Sequence, residues 1–203
     1  MEVTNVTADA AVFTCNAYLV DGPEPTLVDA GAMEGIVDAV REQTDELSAV
    51  VLTHQHGDHV ERLDAVLSAF DADLYAYGDH PARTHQLRDG DQLTVGAASM
   101  VVVHTPGHAD DHVSLVGERA LFSGDVVVYN DGAFDDGSFG RTDYPGQSRE
   151  RLIESARELR DRVPESVDRL YAGHGDSYVG DVGAVIERAL ARAERREPKY
   201  DSG

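Results

Sequence analysis

Short apolar runs and amphipathic segments alternate along the chain, which predicts strands interspersed with helices. The apolar runs are rich in β-branched and aromatic residues and are bounded by Gly, Asp or Pro, as strands usually are. They are residues 11–20, 25–31, 47–53, 73–77, 92–96, 99–105, 112–117, 119–125 and 167–173. The helical segments, which have apolar residues three or four apart, are residues 34–46, 60–70, 148–162 and 181–196.

The order of these elements predicts an α/β protein. Ser148 stands just before the third helical segment and is its predicted N-cap. Residues 130–147 are rich in Gly and Asp and are predicted to form a long loop. Two mixed sheets covered by helices satisfy the pattern, but periodicity alone fits a single doubly wound sheet equally well.

The size of the chain suits one domain that spans residues 1–203. Its 203 residues are 41% hydrophobic, which is enough for a core of its own. No apolar run approaches the roughly 20 residues of a membrane helix, and the N-terminus lacks the pattern of a signal peptide. Cys15 is the one cysteine, so no disulfide forms within the chain, and we expect it to be a half-buried strand thiol. These features predict a cytoplasmic protein and leave its oligomeric state open.

The charge of the chain excludes some partners. There are 38 acidic and 17 basic residues, giving a net charge of −21, which would repel nucleic acids and anionic membranes. We therefore expect neither as a partner. The acidic residues are spread along the whole chain, and Lys199 is the one lysine. That distribution is typical of halophilic proteins, in which salt screens the self-repulsion, and we favour this interpretation over an ordinary acidic enzyme.

The stretch THQHGDH places His54, His56, Asp58 and His59 within six residues. If protonated, the imidazoles would repel one another; if neutral and buried, each needs a hydrogen-bond partner. A divalent metal ion resolves both difficulties, because neutral imidazole and carboxylate are ligands of zinc and iron. In an extended segment, side chains two apart point the same way, so His54, His56 and Asp58 would face one cavity. Gly57 can break the extension and let His59 turn towards it as well.

Three further ligand-type residues follow predicted strands, namely His108, Asp125 and His174. Each comes directly after a glycine, which allows the backbone to turn sharply. Sites in sheet proteins collect at such strand ends. Seven ligands exceed the needs of one open catalytic ion and suit two ions with one bridging carboxylate. The sequence therefore predicts an enzyme with two divalent metal ions, zinc or else iron or a mixture, that acts on a small molecule.

The motifs LVDAG, THQHGDH, HTPGH, FSGD and AGHG occur in this order between residues 16 and 175. In kind and in order they resemble those of the metallo-β-lactamase superfamily. The resemblance implies an α/β fold, an αββα four-layer sandwich of two mixed β-sheets flanked by helices. It also implies a dinuclear metal site at the sheet edges.

The resemblance implies a role for each ligand. The implied sets are His54, His56 and His108 for one ion and Asp58, His59 and His174 for the other, with Asp125 bridging. Asp58 would in addition act in catalysis, by orienting the attacking hydroxide and carrying its proton. Asp29 of the LVDAG motif would support the ligands from behind.

Two motifs, TPGH and GRTDYPG (residues 140–146), are similar to those of the glyoxalase II-like branch, the hydroxyacylglutathione hydrolases. Glyoxalase II enzymes carry a C-terminal helical extension that grips glutathione. Here one helix and a short tail follow His174, so the chain resembles the short form of the branch. Arg141 and Tyr144 are the candidate substrate residues, the first as a cation for a carboxylate and the second as a hydroxyl. A surface salt bridge is an equally good explanation of Arg141.

The expected reaction is hydrolysis of a thioester or related acyl bond by a metal-bridging hydroxide. A thiolate leaves without strong acid assistance, which fits the absence of an obvious general acid. The GRTD motif is shared with persulfide dioxygenases, which use one iron, so an iron-dependent sulfur dioxygenase is the alternative on the same fold. A non-catalytic metal-binding module is the alternative of another class. The complete set of seven ligands favours hydrolysis.

The other histidines are expected to have structural roles. His80 and His85 are predicted to lie at the surface, and His104 to be packed in a strand. His112 is interpreted as a strand-start residue whose hydrogen bonds are satisfied, although its position four residues after His108 would also let it support a ligand.

Overall fold

The computed structural model describes residues 1–199; residues 200–203 of the predicted domain lie outside the described part. The Cα positions group into two compact units. The first is residues 1–102, the second begins at Val103, and the boundary falls inside a strand, Ala98–His104.

The first sheet has six strands that follow one another in chain order across the sheet. They are β1 (Val3–Asn5), β2 (Tyr18–Val20), β3 (Thr26–Val28), β4 (Ala49–Val51), β5 (Asp73–Ala76) and β6 (His85–Gln86). The β1–β2 and β2–β3 pairs are antiparallel, and the pairs from β3 to β6 are parallel. The sheet is therefore mixed.

Helices connect β3 to β4 and β4 to β5 in this sheet. They are α1 (Ile36–Arg41), α2 (Gly57–Val60) and α3 (Leu63–Phe70). One core joins sheet and helices, with Leu27, Val50 and Leu74 from the strands meeting Ile36 and Val66 from the helices. All five are at most 1% exposed, so these apolar positions form the centre of the core.

The second sheet also has six strands in chain order. They are β7 (Gln92–Val95), β8 (Ala98–His104), β9 (Val113–Val116), β10 (Ala120–Gly124), β11 (Arg169–Ala172) and β12 (Tyr178–Val179). The β10–β11 pair is parallel, whereas β7–β8, β9–β10 and β11–β12 are antiparallel. This sheet is mixed as well, and its parallel pair delivers two of the predicted ligands.

The two long helices of the second unit are α4 (Arg149–Arg162) and α5 (Val182–Glu194). Leu152 and Leu159 of α4 share a core with Ile186 of α5 and Leu121 of β10. The predicted N-cap is confirmed, since the Ser148 side chain accepts from the third residue of the helix.

The structure corrects some predicted elements. Its strands form two sheets, which excludes the single doubly wound sheet. The predicted strand 11–20 is a strand only at Tyr18–Val20, because residues before it bond to loop partners. Helix 60–70 is broken at residues 61–62, where the Arg62 N–H donates to the Gly31 carbonyl. Within residues 1–199, no helix is long and apolar enough to cross a membrane.

Candidate functional site

The first group of predicted ligands follows strand β4 and runs into helix α2. It is called the N-terminal ligand cluster here and consists of His54, His56, Asp58 and His59. His56 is extended and precedes the helix, so His54 and His56 face the same way, as predicted. Nε2 of His54 lies 3.1 Å from Nδ1 of His56. Asp58 is different, because helix α2 begins at Gly57 and places Asp58 in its first turn instead of in an extended segment.

Asp29 organises this cluster from behind. Its buried carboxylate accepts from the Thr53 N–H at 2.8 Å and the Thr53 hydroxyl at 2.7 Å, and lies 2.9 Å from Nδ1 of His59. The Thr53 hydroxyl also lies 3.1 Å from Nδ1 of His54. Since its own proton goes to Asp29, it must accept from His54. Nδ1 therefore carries the proton in both neutral imidazoles, and each presents the lone pair of Nε2.

Cys15 is a neighbour of this network and is fully buried, not half-buried in a strand as predicted. Its N–H donates to the Asp58 carbonyl and its own carbonyl accepts from Thr7, so it belongs to a loop that packs on the cluster. Ligand atoms of Cys15, Asp29 and His59 lie within 4.8 Å of one another. Burial raises the pKa of the Cys15 thiol to about 11. A buried, protonated thiol is a poor nucleophile, which favours a packing role for Cys15.

The second group, His108, Asp125 and His174, is called the C-terminal ligand cluster here. These residues follow strands β8, β10 and β11, as predicted from the sequence. Oδ2 of Asp125 lies 3.3 Å from Nε2 of His108 and 3.5 Å from Nε2 of His174. The carboxylate thus stands between two imidazole nitrogens. Its side chain is 6% exposed. Because His108 presents the lone pair of Nε2, the carboxylate oxygen and this nitrogen are two acceptors that a shared cation would hold together.

Glycines shape the turns into this cluster at two of the three predicted positions. Gly107 has φ of 133°, and a Cβ there would lie 2.3 Å from the Leu152 N–H of helix α4. Gly124, before Asp125, has φ of 50°. Gly173, before His174, does not have a positive φ, so the expected sharp turn is absent there.

The loop 130–147 holds the C-terminal ligand cluster through its backbone. Nδ1 of His108 lies 2.8 Å from the Arg141 carbonyl, which can only accept, so His108 also presents Nε2. The Gly140 N–H donates to the Asp125 carbonyl at 2.6 Å. The GRTDYPG motif indicates a branch of the family but gives no local signal for this role of Gly140, which depends on a contact between two loops.

The predicted substrate residues lie on the same loop. The Arg141 guanidinium is bound by both oxygens of Asp143, at 2.9 and 2.6 Å. It also stacks over the Tyr144 ring, 4.4 Å from the centroid, and Tyr144 is 55% exposed. The fork of Arg141 is therefore engaged by an acidic neighbour, and its role towards a substrate stays a prediction.

The remaining histidines largely occupy the predicted environments. His85 is exposed and His80 is partly so. His104 ends strand β8, half-buried, with Nε2 2.8 Å from the Asp110 carbonyl. His112 precedes strand β9 and is fully buried, with both ring nitrogens in hydrogen bonds.

Comparison with known proteins agrees with these features. A family model described as the metallo-beta-lactamase superfamily matches residues 10–86 and 73–174. A hydroxyacylglutathione hydrolase of Francisella philomiragia is 39% identical over 93 residues, which are 43% of this chain and 37% of that enzyme. The chain thus covers well under two thirds of that relative's length.

Solved structures match over most of the chain. ETHE1 from Myxococcus xanthus has a TM-score of 0.76 at 22% identity and covers 98% of this chain and 92% of its own. The protein TTHA1623, solved in a di-iron-bound form, has a TM-score of 0.68 at 26% identity and covers 88% of this chain and 98% of its own. These matches confirm the predicted fold class.

Proposed function

The chain belongs to the metallo-β-lactamase superfamily, and from this premise we propose that it is a metal-dependent hydrolase of a thioester or related acyl bond. The resemblance to the glyoxalase II-like branch predicted from the sequence is confirmed by the relatives that the chain matches. The observation that carries the proposal is the position of Asp125 between the Nε2 atoms of His108 and His174. A carboxylate placed between two imidazoles is suited to bridge two ions.

The donor atoms fit divalent ions. Two imidazole ligands of one tetrahedral zinc are about 3.3 Å apart, from Zn–N bonds of about 2.0–2.1 Å. The 3.1 Å between His54 Nε2 and His56 Nδ1 is close to that distance. The proposed ligand sets are those implied by the family: His54, His56 and His108 for one ion, Asp58, His59 and His174 for the other, with Asp125 shared. We propose zinc, with iron in one or both positions as the variation that the di-iron-bound relative supports.

When bound, such ions supply a water that ionises near neutral pH and a Lewis acid for the carbonyl oxygen. The chain's own residues prepare the ligands. Thr53 and Asp29 keep the protons of His54 and His59 on Nδ1, and the Arg141 carbonyl does so for His108. Each ring therefore offers Nε2 without any prior proton loss.

Asp58 is proposed as the residue that orients the attacking water and accepts its proton. It lies in the first turn of helix α2, partly exposed, and presents a ligand atom within 4.8 Å of one on His59. A carboxylate there favours a positively charged partner and can take up a proton. A thiolate departs without protonation by an acid. The one proton transfer that the chain must assist is therefore from the attacking water to Asp58.

Arg141 and Tyr144 are proposed as substrate contacts, with a condition that the structure adds. Because Asp143 occupies the Arg141 fork, an anionic substrate would have to displace that carboxylate. The side chains of the pair are 36% and 58% exposed, and ion pairs this open are worth no more than about 1 kcal/mol. A substrate that offers its own carboxylate can therefore displace Asp143 from Arg141 at small cost.

We also propose that the protein works at high salt in the cytoplasm. Two observations support the adaptation to salt. They are the net charge of −21 and the burial of the side chain of Lys199, the one lysine of the sequence. The Lys199 side chain is 8% exposed and is bound to Asp131, so its ammonium adds little positive charge to the surface. The cytoplasmic location rests on the sequence features alone.

The experiment that tests the reaction compares two assays on one preparation, reconstituted separately with zinc and with iron. Zinc-loaded protein is expected to release free thiol from an acyl thioester such as a lactoyl conjugate. Oxygen uptake with a persulfide by the iron-loaded protein, together with inert thioesters under both metals, would instead establish the sulfur dioxygenase. Inactivity in both assays, with metal bound, would favour the non-catalytic module or a hydrolase of another bond.

A further inference from the structure

His112 is bonded to the backbone of a proposed metal ligand. The Asp125 N–H donates to Nε2 of His112 at 2.9 Å. On the other side of the ring, Nδ1 lies 2.8 Å from Oγ1 of Thr105. A backbone N–H can only donate, so Nε2 must present its lone pair, and the neutral ring carries its proton on Nδ1. The geometry therefore fixes the tautomer of His112.

From Nδ1 the hydrogen bonds continue in one direction. Nδ1–H donates to Thr105, whose hydroxyl lies 3.1 Å from Oγ of Ser114. Ser114 donates its own proton to the Ser123 carbonyl at 3.2 Å, so Thr105 must donate to Ser114. His112, Thr105, Ser114 and Ser123 are all 0% exposed. Every donor has an acceptor, and the network begins at Asp125 N and ends at Ser123 O.

Both ends of this network lie on the turn that carries the Asp125 carboxylate. Gly124, in the middle of the turn, has φ of 50°. This is the left-handed region, which glycine adopts without steric cost. His112 holds the N–H after Gly124, and Ser114 holds the carbonyl before it. The Asp125 carbonyl is held in turn by the Gly140 N–H. The peptide groups on both sides of the carboxylate are therefore fixed.

We propose that His112 is a positioning residue of the metal centre, which sets the orientation of the Asp125 carboxylate through its backbone N–H. The inference rests on the proposed function, in which Asp125 is shared by two ions. A shared carboxylate must satisfy two distances at once, so its tolerance to backbone movement is smaller than that of a ligand to one ion. His112 contributes to metal affinity without binding metal itself.

Three substitutions separate this role from ordinary core packing. In His112→Gln the amide oxygen can reach the place of Nε2 and accept from Asp125. In His112→Asn the shorter amide can replace Nδ1 towards Thr105 but cannot reach Asp125. His112→Phe keeps the volume and makes neither bond. Ile186→Val is the control, because it loosens the same unit's core at a residue outside the network.

The first measurement is the affinity of each folded variant for Zn²⁺, from competition with a chelator. We expect His112→Asn and His112→Phe to bind about 10–100-fold more weakly than wild type, with His112→Gln recovering much of the loss and Ile186→Val unchanged. Wild-type affinity in His112→Asn, or equal losses in His112→Gln and His112→Asn, would overturn the positioning role of His112. Either result would leave the proposed function unchanged. A wild-type protein that binds no Zn²⁺ would overturn the proposed function and this inference with it.

The second measurement is made on the wild-type protein, so it does not depend on the stability of any variant. Two-bond ¹H–¹⁵N correlation spectra of ¹⁵N-histidine-labelled wild type distinguish a proton on Nδ1 from one on Nε2. His112 is expected to carry its proton on Nδ1, with and without Zn²⁺. A proton on Nε2 would remove the hydrogen bond from Asp125 and overturn the inference.

Discussion

The backbones of Gly140 and Asp125 are in direct contact, with the Gly140 N–H 2.6 Å from the Asp125 carbonyl oxygen. A Cβ on Gly140 would lie 2.3 Å from that oxygen and 2.8 Å from Nδ1 of His108. Neither atom can move without shifting a proposed ligand. The glycine is thus required by close approach to two members of the C-terminal ligand cluster.

Gly140→Ala should therefore damage the metal site as well as the fold. We expect a loss of about 1–3 kcal/mol in the free energy of unfolding, from overpacking, and a Zn²⁺ affinity reduced about 10–100-fold. Denaturant unfolding and chelator competition measure the two effects. Gly183→Ala in helix α5 is the matched control, since its Cβ would meet its nearest atom only at 3.4 Å and alanine favours helix. Equal Zn²⁺ affinities in the two variants would contradict this account of Gly140.

The ligand positions were predictable from sequence because each depends on local order. His108, Asp125 and His174 follow apolar strands, and a strand end is visible as the point where an apolar run stops. The TPGH and THQHGDH motifs add turn residues and ligand types at fixed spacing. What remains a prediction is how the two ligand clusters act together.

Features that depend on tertiary packing were not predictable. The contact of Gly140 with Asp125 joins two loops and leaves no periodic signal in either. The strands β6 and β12 are two residues long, too short to show alternation. Residues 11–17 are apolar enough for a strand. The Cys15 N–H, however, donates to the Asp58 carbonyl, so this segment packs on the N-terminal ligand cluster instead of pairing with a strand. Tertiary contacts override local propensity in these cases.

Metal content should depend on the N-terminal ligand cluster. We expect about two ions per wild-type chain at full occupancy, and at most about one in His54→Ala/His56→Ala, because one proposed set loses two of its ligands. Elemental analysis of folded, dialysed protein gives the ratio. His80→Ala/His85→Ala is the control, with the same number of imidazoles removed outside both clusters. A full metal complement in His54→Ala/His56→Ala would show that the ligand assignment is wrong.

Lys199 should stabilise the fold far more than a surface lysine does. Its ammonium lies 2.5 Å from Asp131, with side chains 8% and 3% exposed, and it also donates to the Phe139 carbonyl. Lys199→Met leaves Asp131 buried without its cation, so we expect a loss of about 3–5 kcal/mol in the free energy of unfolding. Denaturant titration measures it, and Lys199→Met/Asp131→Asn should recover much of the loss.

The contrast for Lys199 is an exposed ion pair. Arg151 and Asp110 are 2.5 Å apart with side chains 48% and 74% exposed. Arg151→Met should cost under about 1 kcal/mol. If Lys199→Met costs no more than Arg151→Met, the buried pair with Asp131 is not a stabilising feature in solution.

Salt should stabilise the protein through its charge. With a net charge of −21, acidic groups on the folded surface repel one another, and the repulsion reaches across about 10 Å at 0.1 M salt but only about 3 Å at 1 M. The melting temperature is therefore expected to rise markedly from dilute buffer to molar KCl. Sucrose at matched water activity stabilises folded proteins by exclusion from their surface but does not screen charge, so it should give a smaller rise.

A charge-reduced variant makes the test specific to repulsion. Glu42, Asp45 and Glu46 are exposed and close in sequence. Glu42→Gln/Asp45→Asn/Glu46→Gln removes three negative charges without touching the core, so its melting temperature in dilute buffer should be higher and its rise with KCl smaller. Calorimetry across a KCl series on both proteins gives the two slopes. A flat profile for wild type, or a rise that sucrose matches in full, would remove the halophilic interpretation and leave the metal-site proposal unchanged.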